Sequence, residues 1–262
     1  GRTMAEVDLN VGLIGFGFAG QTFHAPLIRA TPGLRLAAVG SSDAARVAAA
    51  LGESVVVHPT RDLPTAPDID IVVIATPNEF HFPLALAALK AGRHVVVDKP
   101  FALNAEEAST LVEAAAAAGR VLSVFHNRRW DSDFLTLAKL LRDGTVGRPV
   151  ELQSAFDRFR PTVRARWREG AGPGAGLWWD LGPHLVDQAV ALFGAPDAIS
   201  LDAAMLRDGA QSTDWFVATL RYGGAGAPDA AGEEGEGGAG AGAGGTPARS
   251  PMRVVLRASV LS

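Results

Sequence analysis

The stretch Val11-Gly12-Leu13-Ile14-Gly15-Phe16-Gly17-Phe18-Ala19-Gly20 limits the folds open to this chain more than any other. An apolar run ends in the spacing Gly15-x-Gly17-x-x-Gly20, and a helix-like segment follows. That order is strand, tight turn and helix start, the fingerprint of a dinucleotide-binding crossover. Gly15 is expected to permit the turn, Gly17 to let a pyrophosphate approach the backbone, and Gly20 to let the helix close on the strand. Unpaired N–H groups at the helix start, with the positive end of its dipole, suit an anion. Phe16, Phe18 and Ala19 therefore join the three glycines as expected cofactor contacts.

From there to about residue 126, short apolar runs alternate with helix-like segments. Strands are expected at 34–40, 54–57, 69–75, 94–97 and 121–125, and helices at 43–51 and 80–91. Thr76-Pro77-Asn78 cuts off one strand, and Gly92 stops the helix after it. Asn104, followed by Glu106 and Glu107, marks the start of a helix that runs through alanines to Gly119. Strands this short, separated by single helices, require right-handed crossovers and a parallel sheet covered on both faces. The fold class is α/β, with a doubly wound, Rossmann-type domain over residues 1–126.

The rhythm changes after Asn127. A helix is expected at 132–142, an extended strand at 149–159, and a second helix at 181–193 that ends at Gly194. Residues 198–206 and 213–222 alternate like antiparallel strands, with Arg207-Asp208-Gly209 as the turn between them. Residues 223–250 are glycine, alanine and a few acids; they cannot bury a core and read as a disordered loop. Residues 252–261 form one more strand. The second domain, 127–262, is thus α+β on a mainly antiparallel sheet. A chain that stops on an apolar strand reads as truncated. At the other end, Gly1-Arg2-Thr3 before Met4 reads as an expression remnant.

Composition excludes several function classes. A net charge of −4 gives no pull toward nucleic acid or anionic membrane. No apolar run reaches the length of a membrane span, and no signal-like segment precedes the first strand. With no cysteine there are no disulfides, thiolate metal sites or cysteine nucleophiles, which fits a cytoplasmic protein.

Four clusters carry the chemistry. Ser41-Ser42-Asp43 ends the second strand, where NAD-selective folds place a carboxylate on the ribose 2′-hydroxyl. Two serines leave room for a 2′-phosphate, and Arg46 lies one helical turn on. This favours NADP(H); if Asp43 takes the ribose instead, NAD(H) fits. Thr76, Pro77 and Asn78 end the fourth strand, with Asn78 suited to the nicotinamide ribose or else to a plain turn. Val97-Asp98-Lys99-Pro100 ends the fifth, where a partly desolvated lysine can trade protons. Asp180 and His184 are four apart, one face of a helix, and a carboxylate beside a histidine orients the ring. Asp187 adds a third polar group, but no further strong ligand is near, so no metal is expected. Arg158, Arg160, Arg164, Arg166 and Arg168 form a basic run that suits a phosphorylated substrate or nucleic acid, or else pairs with acids on a solvated loop. His24, His81 and His126 read as structural, with His24 and Asn127 placed to line a cleft.

Taken in order, Gly15-x-Gly17-x-x-Gly20, Thr76-Pro77-Asn78-x-x-His81, Ala91-Gly92-Arg93-His94-Val95-x-x-Asp98-Lys99-Pro100 and Asp180-x-x-x-His184 resemble the Gfo/Idh/MocA oxidoreductases. The third block is Glu-Lys-Pro in that family and Asp-Lys-Pro here. The segments 23–27, 127–131 and 166–169 are most similar to a bacterial subgroup that includes NADP-dependent scyllo-inositol dehydrogenases. The resemblance implies hydride transfer between a nicotinamide and a secondary alcohol or ketone of a cyclitol or sugar. It implies His184 as general base, Lys99 on the reacting oxygen, and Asp180 orienting His184 or binding a hydroxyl. It also implies Pro100 at the cofactor, Asn127, Arg128 and Trp130 at the substrate, and a homo-oligomer formed through the open face of the second sheet. The alternative it leaves is a silent cofactor-binding sensor or regulator on the same fold.

Overall fold

Six short apolar runs of the first unit pair into one parallel sheet. In chain order they are β1 (Leu9–Ile14), β2 (Leu34–Gly40), β3 (Val56–His58), β4 (Ile71–Ile74), β5 (His94–Val97) and β6 (Leu122–Val124). Their spatial order is β3-β2-β1-β4-β5-β6. It reverses direction at β1, so the carboxyl ends of β1 and β4 flank the crevice where open α/β sheets bind ligands. The computed structural model describes residues 9–223 and 251–261. The chain divides into two compact units after His126. Residues 224–250, read above as a low-complexity loop, lie outside the described residues.

The helices of the first unit are α1 (Ala25–Ala30), α2 (Ala44–Leu51), α3 (His81–Lys90) and α4 (Ala105–Ala118). They cover both sheet faces, as the β-branched runs require. One core holds Ile14, Leu63, Ile74, Leu89, Val97 and Leu111; the other holds Val11, Leu13, Ile28, Val39 and Val47. Side chains alternate along β1, so Leu13 and Ile14 enter opposite cores. The ends of α4 follow its capping residues. The Asn104 side chain accepts the Glu107 N–H at 2.8 Å, and Gly119 closes the helix in the left-handed region at φ +60°.

In the first unit, one strand and one helix differ from expectation. The third strand lies at Val56–His58, not 54–57, because its register is set by pairing with Ala38–Gly40 of β2. The segment after the glycines is not one regular α-helix. A five-residue π turn, Gly20–His24, precedes α1, and the Ala25 N–H closes it on the Gly20 carbonyl.

The second unit contains α5 (Ser132–Arg142), β7 (Glu151–Asp157), α6 (Leu177–Phe193), β8 (Ala198–Ala204), β9 (Trp215–Tyr222) and β10 (Met252–Ser259). Its sheet runs β7-β10-β9-β8. The β8–β9 and β9–β10 pairs are antiparallel and β10–β7 is parallel. Leu177, Leu181, Leu185 and Ala189 of α6, each four residues apart, pack on Phe216, Ala218, Leu220 and Leu256. The helix starts four residues before the expected Leu181. Gly176, at φ +97°, turns the chain into it, and the Leu177 N–H donates to the Thr213 carbonyl at 2.6 Å. Pro183 therefore sits inside the helix, where the expected start would have put it in the first turn. The β8–β9 connection is held by buried Asp214, which accepts from the Leu206 and Arg207 N–H groups at 2.7 and 3.1 Å.

Candidate active site

Most of the residues singled out in the first unit lie at the carboxyl edge of its sheet. Gly15–Gly20 follow β1, Ser41 and Ser42 follow β2, Thr76–Asn78 follow β4, and Lys99 and Pro100 follow β5. The three glycines have different reasons to be glycine. Gly15 has φ +96°, and a Cβ there would lie 2.4 Å from the Ala75 carbonyl oxygen. A Cβ on Gly20 would lie 2.2 Å from the Gly15 carbonyl oxygen. At Gly17 a Cβ would meet nothing within 4 Å. The protein's own packing requires the first two glycines and not the third. Gly17 faces open space in front of a helix start. Phe16 is buried, while Phe18 is exposed and meets Phe23 edge-on at 5.8 Å between centroids.

At the end of β2, Asp43 is committed to helix capping. Its carboxylate accepts the Arg46 N–H at 2.9 Å, and its own N–H donates to the Ser41 hydroxyl at 3.1 Å. Ser41 and Ser42 line an open recess of about 540 Å³ with His58, Thr60 and Arg61. Thr60 and Arg61 carry no sequence signal of their own. With β3 ending at His58 they fall on the same carboxyl edge. Arg46 stands exposed on the first turn of α2 and does not line that recess.

Two buried histidines tie the strand ends around Lys99. His81 Nδ1 is 2.7 Å from the Pro100 carbonyl oxygen, and its Nε2 is 3.1 Å from the Thr76 carbonyl oxygen. Burial lowers its pKa, outweighing the two carbonyls and Asp98, while Lys99 adds to the lowering. His24, 3% exposed, projects from the π turn and lies 3.0 Å from the Asp98 carboxylate through Nε2. Asp98 also accepts the Lys99 N–H at 2.7 Å. Burial raises the Asp98 carboxyl, but the bonds from His24 and from the Lys99 N–H prevail and hold its pKa below the ordinary value. Lys99–Pro100 is a cis peptide bond. Asn78 is buried at the head of the 3-10 turn Asn78–Phe80.

In the second unit, the turn Asn127–Trp130 is tied to α6. Arg129 grips Asp187 with two hydrogen bonds of 2.7 and 2.6 Å, and the Gln188 amide donates to the Arg128 carbonyl at 3.0 Å. Arg128 lies over the Phe156 ring and pairs with Asp131 at 2.9 Å. Trp130 is 79% exposed. Asp180 lies in the first turn of α6 and His184, which is buried, one turn later, so the two share a face. Arg168 approaches Asp180 at 3.8 Å. Among the described residues no group of three metal-ligating side chains occurs, and no helix is long and apolar enough to cross a membrane.

Known proteins share the sequence pattern and the fold. Residues 9–126 match the model of the oxidoreductase family with an NAD-binding Rossmann fold, and residues 134–228 match the Gfo/Idh/MocA C-terminal domain. The oxidoreductase YdgJ of Escherichia coli, itself uncharacterized, is 57% identical over 82% of this chain and 62% of its own. The Bacillus subtilis scyllo-inositol 2-dehydrogenase (NADP(+)) IolW is 39% identical over 83% of this chain and 61% of its own. The chain thus spans about three fifths of the length of these curated relatives. The solved structure of yvaA from Bacillus subtilis superposes with a TM-score of 0.83 at 32% identity, covering 99% of this chain and 67% of that one. A Yersinia pestis structure gives 0.81 at 47% identity, over 98% of this chain and 65% of that one. With the strand order, the glycine cradle and both domain matches in agreement, the chain belongs to the Gfo/Idh/MocA family of oxidoreductases.

Proposed function

We propose that this chain belongs to an NADP(H)-preferring dehydrogenase or reductase acting on a secondary alcohol or ketone of a cyclitol or sugar. The observation that carries the reading is Gly17: its α-carbon faces space that no protein atom uses, in front of a helix start. The names of relatives agree, since IolW is a scyllo-inositol dehydrogenase and a 33% identical protein of Ensifer adhaerens is a 1,5-anhydro-D-fructose reductase. The preference for a 2′-phosphate is supported by Ser41, Ser42 and Arg61 around the recess and by the commitment of Asp43 to its helix.

The residues to hold the cofactor are Gly15–Gly20 at the pyrophosphate, Ser41, Ser42 and Arg46 at the adenosine end, and Thr76–Asn78 with Lys99 and Pro100 at the nicotinamide end. When bound, the nicotinamide supplies the hydride chemistry. His184 holds the proton of the substrate hydroxyl, and Asp180 orients it or binds a neighbouring hydroxyl. Lys99 of the first unit donates a hydrogen bond to a substrate oxygen and stabilises charge that develops on it. Asn127 and Trp130 contact the substrate, and Arg128 does so beside its pair with Asp131. Copies of the chain associate through the open face of the second sheet.

Lys99→Met and His184→Ala test this assignment in the full-length protein. Each is expected to lower turnover of a reactive polyol by about 10²- to 10⁴-fold while leaving NADPH affinity within a fewfold. Unchanged turnover in both variants overturns the assignment. Tight NADPH binding by the unaltered protein without turnover of any polyol, cyclitol or sugar points to a sensor instead.

A further inference from the structure

Five arginines of the second unit converge on one recess that the proposed reaction leaves unexplained. Arg158, Arg160, Arg166, Arg168 and Arg207 line it together with Asp180, around a cavity of about 30 Å³. Three of the five are engaged. Arg207 is buried and bonds Asp214 at 3.0 Å, Glu169 at 3.2 Å and the Arg160 carbonyl at 3.1 Å. Arg166 pairs with Glu169 at 2.7 Å. Arg168 lies over the Trp167 ring, with Asp180 at 3.8 Å. These contacts hold the loop between β7 and α6 in one shape.

Arg158 and Arg160 differ from these three. Their backbone N–H groups donate to the Ser259 and Val260 carbonyls at 2.8 and 2.7 Å, so the segment is fixed to the end of β10. Two residues apart on extended chain, their side chains leave on the same side. Both are half-buried. Among the described residues no carboxylate lies within ion-pair distance of either guanidinium. The recess sets five guanidinium groups against the carboxylates of Glu169, Asp180 and Asp214, an excess of two positive charges. Burial and the like charge of Arg160 lower the Arg158 pKa from its ordinary value, with Asp180 opposing them. Two cations carried on the same side of one anchored backbone segment suit an oxyanion.

We propose that Arg158 and Arg160 bind an oxyanion carried by the substrate, making the preferred substrate an anionic polyol, a sugar phosphate or a sugar acid, rather than a neutral one. Asp180 lines the same recess and His184 lies one turn along the same helix face, so an anion held there directs the hydroxylated part of the molecule along α6. The substrate part of this inference rests on Asp180 and His184 facing the substrate, as proposed above; the anion site does not.

The test is binding, read by calorimetry at low ionic strength on the unaltered protein and on Arg158→Gln/Arg160→Gln. The probes are inorganic phosphate, D-glucose 6-phosphate and D-gluconate, with D-glucitol as the neutral control. The glycine loop is itself an oxyanion cradle, so the double variant is the discriminating arm. The double variant is expected to bind at least one of the two sugar anions about tenfold or more weakly, with glucitol unaffected. Loss for the phosphate ester alone identifies a sugar-phosphate site, and loss for gluconate alone a sugar-acid site. Arg158→Lys/Arg160→Lys, which keeps the charge and removes the fork, is expected to recover part of the affinity and guards against misfolding of the glutamine pair. Unchanged binding of both sugar anions in the glutamine variant overturns the proposal, as does binding no tighter than glucitol in the unaltered protein. NADPH titration in parallel reads the first unit, so failure there sinks the dehydrogenase reading without touching the anion site.

Discussion

Replacing Gly17 and Gly20 separately by alanine should damage two different properties. Gly20→Ala places a methyl 2.2 Å from the Gly15 carbonyl oxygen, a backbone atom that cannot move without reopening the β1 turn. Overpacking of this kind costs about 1–3 kcal/mol. For a unit of this size each kcal/mol lowers the melting temperature by roughly 4 °C, so a fall of about 4–12 °C is expected. Gly17→Ala meets no atom within 4 Å. Its stability should stay within about 1 kcal/mol of the unaltered protein, with a small gain if the residue's backbone suits alanine. On the proposed function, what it fills is the space for the pyrophosphate. Losing one close charge-assisted bond there costs about 1.5–3 kcal/mol, or about ten- to a hundredfold in NADPH affinity. Differential scanning fluorimetry and NADPH titration of the two variants give the four numbers required. A Gly17→Ala protein that melts as early as Gly20→Ala, or that binds NADPH as well as the unaltered protein, refutes the division of roles.

Three further outcomes follow from the geometry. Arg46→Gln/Arg61→Gln should weaken NADPH binding about tenfold or more and leave NADH binding nearly unchanged, as measured by paired titrations; equal losses for both cofactors contradict the 2′-phosphate assignment. Asp98 has a folded-state pKa below its unfolded value, so its ionisation stabilises the fold above the unfolded pKa, and that contribution fades as the pH falls through the folded one. The melting-temperature gap between the unaltered protein and Asp98→Asn should therefore be widest near pH 7 and narrow below about pH 4; a gap that widens in acid contradicts the His24–Asp98 pairing. Arg207→Met leaves buried Asp214 and Glu169 without their shared cation and should cost about 3–5 kcal/mol in urea unfolding.

Much of this molecule is readable from sequence because its elements are defined by local rules. The bounds of β2, β5 and α5 follow from β-branched runs and from stop residues that act within a few positions. The ends of α4 follow from Asn104 and Gly119, whose side chain and φ do what capping requires. What escaped depends on distant partners. The start of α6 is set by Gly176 meeting Thr213, and no signal near Leu177 announces it. The π turn that carries His24 inward has no sequence rule of its own. His24 passes for an ordinary core histidine until Asp98, far along the chain, is seen beside it. Arg61 needed the register of β3, which only its pairing with β2 fixes. The arginine run was visible, but the sequence could not say which of its members are engaged. The structure separates Arg166 and Arg168 of the run from Arg158 and Arg160.

The most direct test of the account is a titration of the protein with NADPH and with NADH, followed by tryptophan fluorescence. The account predicts saturable binding of both, tighter for NADPH, with the preference reduced in Arg46→Gln/Arg61→Gln. Absence of saturable binding of either cofactor by folded protein contradicts it, because the glycine loop that carries the proposed function would then hold nothing.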